Sequence, residues 1–296
     1  MASTLHARIS REFRRRGSGV RRIYFNARRA GRFFKDAPRR SALAALPPTD
    51  VHIPSDAGFL VVPEGRFEET PAIVADARGA LARFDAAAPP PGKNRKRFLQ
   101  NVLDASTLTL DSAVIRFALR QDVLAAVSEY LGVVPFLGTI AVYHSDTVEG
   151  VPRSSQLFHC DGDDVTQVKI FIYCSHVDAE SGPLTVLDAA TTRAVQRRTG
   201  YQFRDRLSDD QVRQAVSTAK EHVFLGCPGT TVLLDTSRCF HFGSRVAPDA
   251  PPRLVTMVQY QTPYSFMLPG DSQAGLPFRR LLNPSLTPLQ RLVLGE

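Results

Sequence analysis

Three triplets in this chain place a histidine and an aspartate two residues apart: His144-Ser145-Asp146, His159-Cys160-Asp161 and His176-Val177-Asp178. On an extended strand residues i and i+2 point to one face, so each pair can offer an imidazole nitrogen and a carboxylate oxygen to one point in space. A non-haem iron held by two histidines and one carboxylate needs such a pair plus a second histidine, and it keeps coordination positions open for reactants. His241 is the best distal candidate, because "TTVLLDTSRCFHFGSR" leads an apolar strand and a short loop into it. Arg253 opens the following strand, where a guanidinium can hold the far carboxylate of a dicarboxylate bidentately; Arg245 and Lys169 are alternatives for that task. Spacing alone does not choose among the three triplets. Asp163 and Asp164 read as loop-capping or solvated acids, and alternation turns Cys160 away from the metal face into the core.

These residues must be carried by a scaffold, and the texture of the chain changes at Val133. Before it, residues 70–86 and the stretch from Asp111 to Leu131 carry apolar positions at helical spacing, the second ending at Gly132. Between them "DAAAPPPGKNRKR" reads as a surface loop. After it, "PFLGTIAVYHS", "VKIFIYCSHV", "GPLTVLD", "TTVLLDTS" and "RLVTMVQYQTP" are short runs rich in β-branched and aromatic residues, separated by Gly and Pro turns. That is the grammar of an antiparallel sandwich or barrel. A polar, helix-like insertion over 190–225 interrupts it and is expected to roof one end. Arg193, Arg197, Arg198, Arg204 and Arg206 in this insertion read first as a solvated helical face, with an anionic group such as phosphate or CoA as the alternative partner.

The segment "SQLFHCDGDDVTQVKIFIYCSHVDAESGPLTVL" followed by "FHFGSRVAPDAPPRLVTMVQYQTP" resembles the phytanoyl-CoA dioxygenase-like family of iron(II)- and 2-oxoglutarate-dependent oxygenases, over about residues 130–265. The resemblance implies a mainly β fold with flanking helices, a double-stranded β-helix or cupin-like jelly-roll. It implies Fe(II) bound by His159, Asp161 and His241, with 2-oxoglutarate anchored by Arg253. It also implies oxidative decarboxylation of 2-oxoglutarate with O2 and hydroxylation of a small organic substrate; a halide would need the place that Asp161 takes. The sequence departs from the family pattern in two places: Phe158 stands where tryptophan is often found, and "LDAATTRAV" replaces a glycine-serine-histidine segment. A metal-binding jelly-roll sensor and a metal-dependent cupin isomerase are the alternatives from other classes.

Charge is uneven. Residues 1–40 carry thirteen Lys/Arg against Glu12 and Asp36, a net +11, and the remainder holds 24 basic and 27 acidic residues, a net −3. Residues 1–48 are therefore expected to be a basic leader and linker, docking on an anionic membrane surface or a protein partner, or solvated. No specific nucleic-acid partner is expected from a mildly acidic body. Residues 49–296 are expected as one domain: helical support over 49–132, the jelly-roll over 133–265 and a tail over 266–296. Four scattered cysteines without a C-x-x-C pair, and no long apolar run, suit a reducing, cytoplasmic setting.

Overall fold

The computed structural model describes residues 9–84, 98–147, 150–268 and 276–296. Among the described residues nine antiparallel strands form two facing sheets. The larger contains β1 (Phe59–Val62), β2 (Gln100–Asn101), β3 (Phe136–Ser145), β4 (Gln167–Tyr173), β7 (Thr231–Leu234) and β9 (Arg253–Gln261), in the order β1-β7-β4-β9-β3-β2. The smaller runs β6-β5-β8, from β6 (His222–Phe224), β5 (Leu184–Val186) and β8 (His241–Phe242). Such chain crossing between two sheets is a jelly-roll. Side chains from both sheets meet in one cluster, Tyr173, Val232, Leu234 and Val255 against Leu184, Val186 and Phe224.

The helices Thr70–Ala82 (α3), Ala113–Ala118 (α4), Gln121–Leu131 (α5) and Pro288–Leu294 (α8) cover the outer face of the larger sheet. This explains why "VKIFIY" is apolar almost throughout: Val168, Ile170 and Ile172 pack under the helices, while Lys169, Phe171 and Tyr173 face the other way, into the barrel. Tyr260 on the same outer face donates to the carbonyl of Ala118 at 2.7 Å. The helix expected from Asp111 to Leu131 is in fact two, because the chain turns at Leu119 and Arg120 before α5. The proline-rich loop over 85–97 lies outside the described residues.

The basic segment expected as a leader set apart from the body is folded onto it. Helices Ser18–Gly31 (α1) and Ala37–Ala44 (α2) bury Arg21 and Arg39, 1% and 2% exposed. Arg39 donates to the carbonyls of Val134 and Pro135 at 3.0 Å and of Leu292 at 2.7 Å, with its guanidinium 3.7 Å from the centre of the Phe136 ring. Arg32 pairs with buried Asp36 at 2.9 Å. Aromatic rings continue the seam: Tyr24 stacks between Phe13 and Phe266, and Phe25 meets Tyr264 edge-on. The physical reason is that arginine has a long apolar stem and a donor fork that main-chain oxygens can saturate, so a run of arginines is not by itself a solvated surface.

The insertion contributes to an aromatic cluster behind the His159 triplet. From helices Ala189–Thr199 (α6) and Asp209–Ala215 (α7) and the segment between them, Tyr201, Phe203 and Leu207 pack with Phe158, Cys160, Phe240 and Phe242 behind the segment that carries the His159 triplet. No helix among the described residues is long and apolar enough to cross a membrane.

Candidate active site

His159, Asp161 and His241 converge, each offering a ligand atom within 4.8 Å of the other two. Their positions follow from two main-chain devices. His159 and His241 bridge each other as an antiparallel pair, N–H to carbonyl at 3.1 and 3.0 Å, which brings the two rings to 4.3 Å between centres. Asp161 is held two residues beyond that bridge by its N–H to the carbonyl of Thr236 at 2.7 Å and by the Ser237 hydroxyl, which donates to its carbonyl at 3.1 Å. Phe158 and Cys160 turn outward into the aromatic cluster, so alternation aims His159 and Asp161 inward.

Each imidazole is oriented from behind. His159 Nδ1 lies 2.9 Å from the carbonyl of Leu157, and His241 Nδ1 lies 3.1 Å from that of Cys239. A carbonyl can only accept, so both Nδ1 atoms carry the proton and both Nε2 lone pairs face Asp161, at 3.7 and 3.8 Å from its oxygens. Burial pushes both histidines below their ordinary pKa, His159 the further because His241 lies beside it. Neutral imidazoles are what a metal requires. Burial alone would raise the Asp161 carboxyl, but the Lys169 ammonium, which donates to Oδ2 at 2.7 Å, holds it well below the usual carboxylate range. Two neutral nitrogens and one carboxylate at the mouth of a cavity fit a divalent iron with open positions.

That cavity, about 170 Å³, lies between the two sheets and has Arg253 at its far end. Arg253 is 7% exposed, donates from Nη1 to the carbonyl of Gly182 at 2.6 Å and from Nη2 to the Ser244 hydroxyl at 2.9 Å. Its buried Nε has no partner among the described residues. Two glycines make the room: Gly182 sits at φ 67°, where a Cβ would fall 2.7 Å from the Arg245 nitrogen, and a Cβ on Gly243 would come within 3.2 Å of the Arg253 fork. Ser244 itself takes φ 61°, a conformation that lends its hydroxyl to both Arg253 and Ser145. Leu99, Phe171, Leu184, Val255 and Met257 give the cavity an apolar side, and Tyr143, Ser155, Lys169 and Ser244 add polar groups to its lining.

The two rival triplets fall elsewhere. Ser145 points inward to Ser244, so alternation sends His144 and Asp146 to the opposite face, where Asp146 caps Thr147. Asp178 accepts from Glu180 and Ser181 and shapes the turn before β5. Arg245 is engaged with Asp209 through two bonds of 2.8 Å and lies flat on Phe242, tying α7 to the barrel instead of reaching the cavity. Asp163 pairs with Arg14 at 2.8 Å, and Asp164 is fully buried, not solvated. Sequence reasoning named Lys169 only as a rival to Arg253 and missed its contact with Asp161; the signal was one lysine in an otherwise apolar strand.

No family model and no curated protein matches the chain. Solved structures do resemble it. EctD from S. alaskensis in its apoform superposes with a TM-score of 0.50 at 15% identity, covering 73% of this chain and 82% of that one. The same enzyme "with bound Fe" gives 0.50 at 14% identity, covering 74% and 80%. SnoN, described as a non-heme alpha ketoglutarate dependent epimerase from nogalamycin biosynthesis, gives 0.48 at 18% identity over 75% and 83%. The fold is common to this chain and EctD.

Proposed function

We propose that this chain is an iron(II)- and 2-oxoglutarate-dependent oxygenase that hydroxylates a small organic substrate. The observation that carries the proposal is the meeting, in one cavity, of an oriented His159–Asp161–His241 set with a buried arginine that keeps an unpartnered donor. EctD, which has the same fold, is described with bound Fe, and the family resemblance over residues 130–265 supplies 2-oxoglutarate as the co-substrate. Iron and 2-oxoglutarate, when bound, supply with O2 the oxidising power for C–H hydroxylation, releasing succinate and CO2.

The chain's own residues do the rest. His159 and His241 present neutral nitrogens, and Asp161 contributes the single negative charge. Lys169 holds one carboxylate oxygen of Asp161, which favours ligation through the other. Arg253 offers a fork to the far carboxylate of the co-substrate, beside the apolar side chains of Val255 and Met257. Because Asp161 occupies the position a halide would need, hydroxylation is the reaction and halogenation is not.

Anaerobic addition of Fe(II) and then 2-oxoglutarate should produce the weak visible charge-transfer band of a chelated keto acid, and O2 should then yield succinate. Iron binding without the band and without succinate would leave a metal-binding module in place of an oxygenase.

A further inference from the structure

A second cleft, about 670 Å³, opens between α1, α6 and the turn that begins at Asp235. It shares no lining residue with the metal-side cavity. Arg22, Arg193, Arg197 and Arg238 line it together with buried Arg21, and no carboxylate does. Arg238 is anchored, donating to Tyr130 Oη at 2.8 Å and to the carbonyl of Ser55 at 3.0 Å. Arg22, Arg193 and Arg197 make no hydrogen bond or ion pair with any described residue, whereas the neighbouring Arg198 is spent on the carbonyl of Ala215. The two helical walls are tied by Ser18, whose hydroxyl donates to Gln196 Oε1 at 2.9 Å.

A solvated arginine face on one helix needs no explanation. Here the positive groups come from three separate elements, which the tertiary fold turns toward one concavity. Asp235 lies near Arg238 and Asp164 near Arg21, but Arg22, Arg193 and Arg197 have no ion-pair partner among the described residues, and the repulsion among these like charges is relieved by a bound anion. Guanidinium forks suit the paired oxygens of phosphate better than they suit chloride. We infer that this cleft binds a diphosphate-class anion, free or as part of a nucleotide, through Arg22, Arg193, Arg197 and Arg238. The inference is independent of the metal chemistry proposed above.

Isothermal titration of the full-length protein with inorganic pyrophosphate, at constant ionic strength set by chloride, tests it. Pyrophosphate should bind near one per chain, more tightly than orthophosphate, and weaken as salt rises. The double variant Arg193→Ala/Arg197→Ala, which removes only exposed side chains, should lose about tenfold to a hundredfold in affinity with an unchanged unfolding midpoint. The variant Arg204→Ala, on the same insertion but outside the cleft, should bind as the parent does. No pyrophosphate binding, or binding that the double variant leaves intact, overturns the assignment. A parallel titration with ADP should match pyrophosphate if a nucleotide is accommodated; ADP binding that the double variant leaves unchanged would place the nucleotide elsewhere and count against the cleft.

Discussion

Two regions of this molecule bury arginine, and they do it in opposite ways. Under α1, Arg21 donates to the main-chain oxygens of Arg14, Gly162 and Asp164 and stacks 3.6 Å from the centre of the Phe203 ring. In the barrel, Arg253 keeps its buried Nε unpartnered and reaches only one carbonyl and one hydroxyl. An unsatisfied buried donor costs about 1–3 kcal/mol, so a fold that leaves one does so at the expense of stability. Saturation suits an arginine that builds structure, and the deficit at Arg253 is what the proposed anchoring of a co-substrate carboxylate draws on. The metal residues repeat the contrast, since both imidazoles are tied at Nδ1 and free at Nε2.

The largest effect should come from breaking the saturated side. Arg21→Ala strands three carbonyls and removes a stacked cation, and it should lower unfolding free energy by about 3–5 kcal/mol, read from urea denaturation. An unchanged midpoint would return residues 1–48 to the status of an appended arm. Next in size, Asp161→Asn should weaken Fe(II) binding by more than about a hundredfold, since even residues that only orient metal ligands are worth 10–100-fold. Asp178→Asn should leave iron affinity where it was, and the reverse outcome would move the site to the other triplet.

Arg253→Met should weaken 2-oxoglutarate by about 2 kcal/mol, roughly thirtyfold, with iron affinity intact. Full retention of 2-oxoglutarate affinity would shift the anchoring role to Lys169.

A pH dependence is expected from Asp164, whose carbonyl accepts from Arg21 and whose carboxyl accepts from Thr262. Burial pushes this carboxyl up to about 7, against the pull of the Thr262 bonds. The folded chain therefore holds a proton there that the unfolded chain releases near pH 4. Stability from this group is full below that point and is lost as pH rises toward 7, by about 1 kcal/mol per pH unit. Asp164→Asn should flatten the dependence between pH 5 and 7; an identical slope in both proteins would show that the carboxyl is ionised throughout.

How much of this was legible beforehand follows from the range of each interaction. The strand grammar after Val133 and the helical spacing before Gly132 are local, and the structure repeats them, with the break at Leu119 as the exception. The His159 pair, His241 and Arg253 were nameable because their alternation and strand positions are local as well. The choice of His159 over His144 and His176 is not in the spacing, which all three triplets share; only the family resemblance over residues 130–265 singled it out. In the fold it turns on which neighbours point outward: Phe158 and Cys160 have an aromatic cluster to enter, whereas Ser145 faces the barrel.

The sequence by itself determined the elements, the alternation of each strand and the types of side chain available for chemistry, since those depend on residues a few positions apart. Only the tertiary structure decided that Lys169 meets Asp161, that Arg245 is spent on Asp209, and that the basic N-terminal residues are partly core. In each case the deciding partner is a side chain or carbonyl brought close by a different element. An arginine reads the same in sequence whether it meets water, a carboxylate, a main-chain oxygen or another arginine; its surroundings, fixed by the packing of the whole chain, decide what it does.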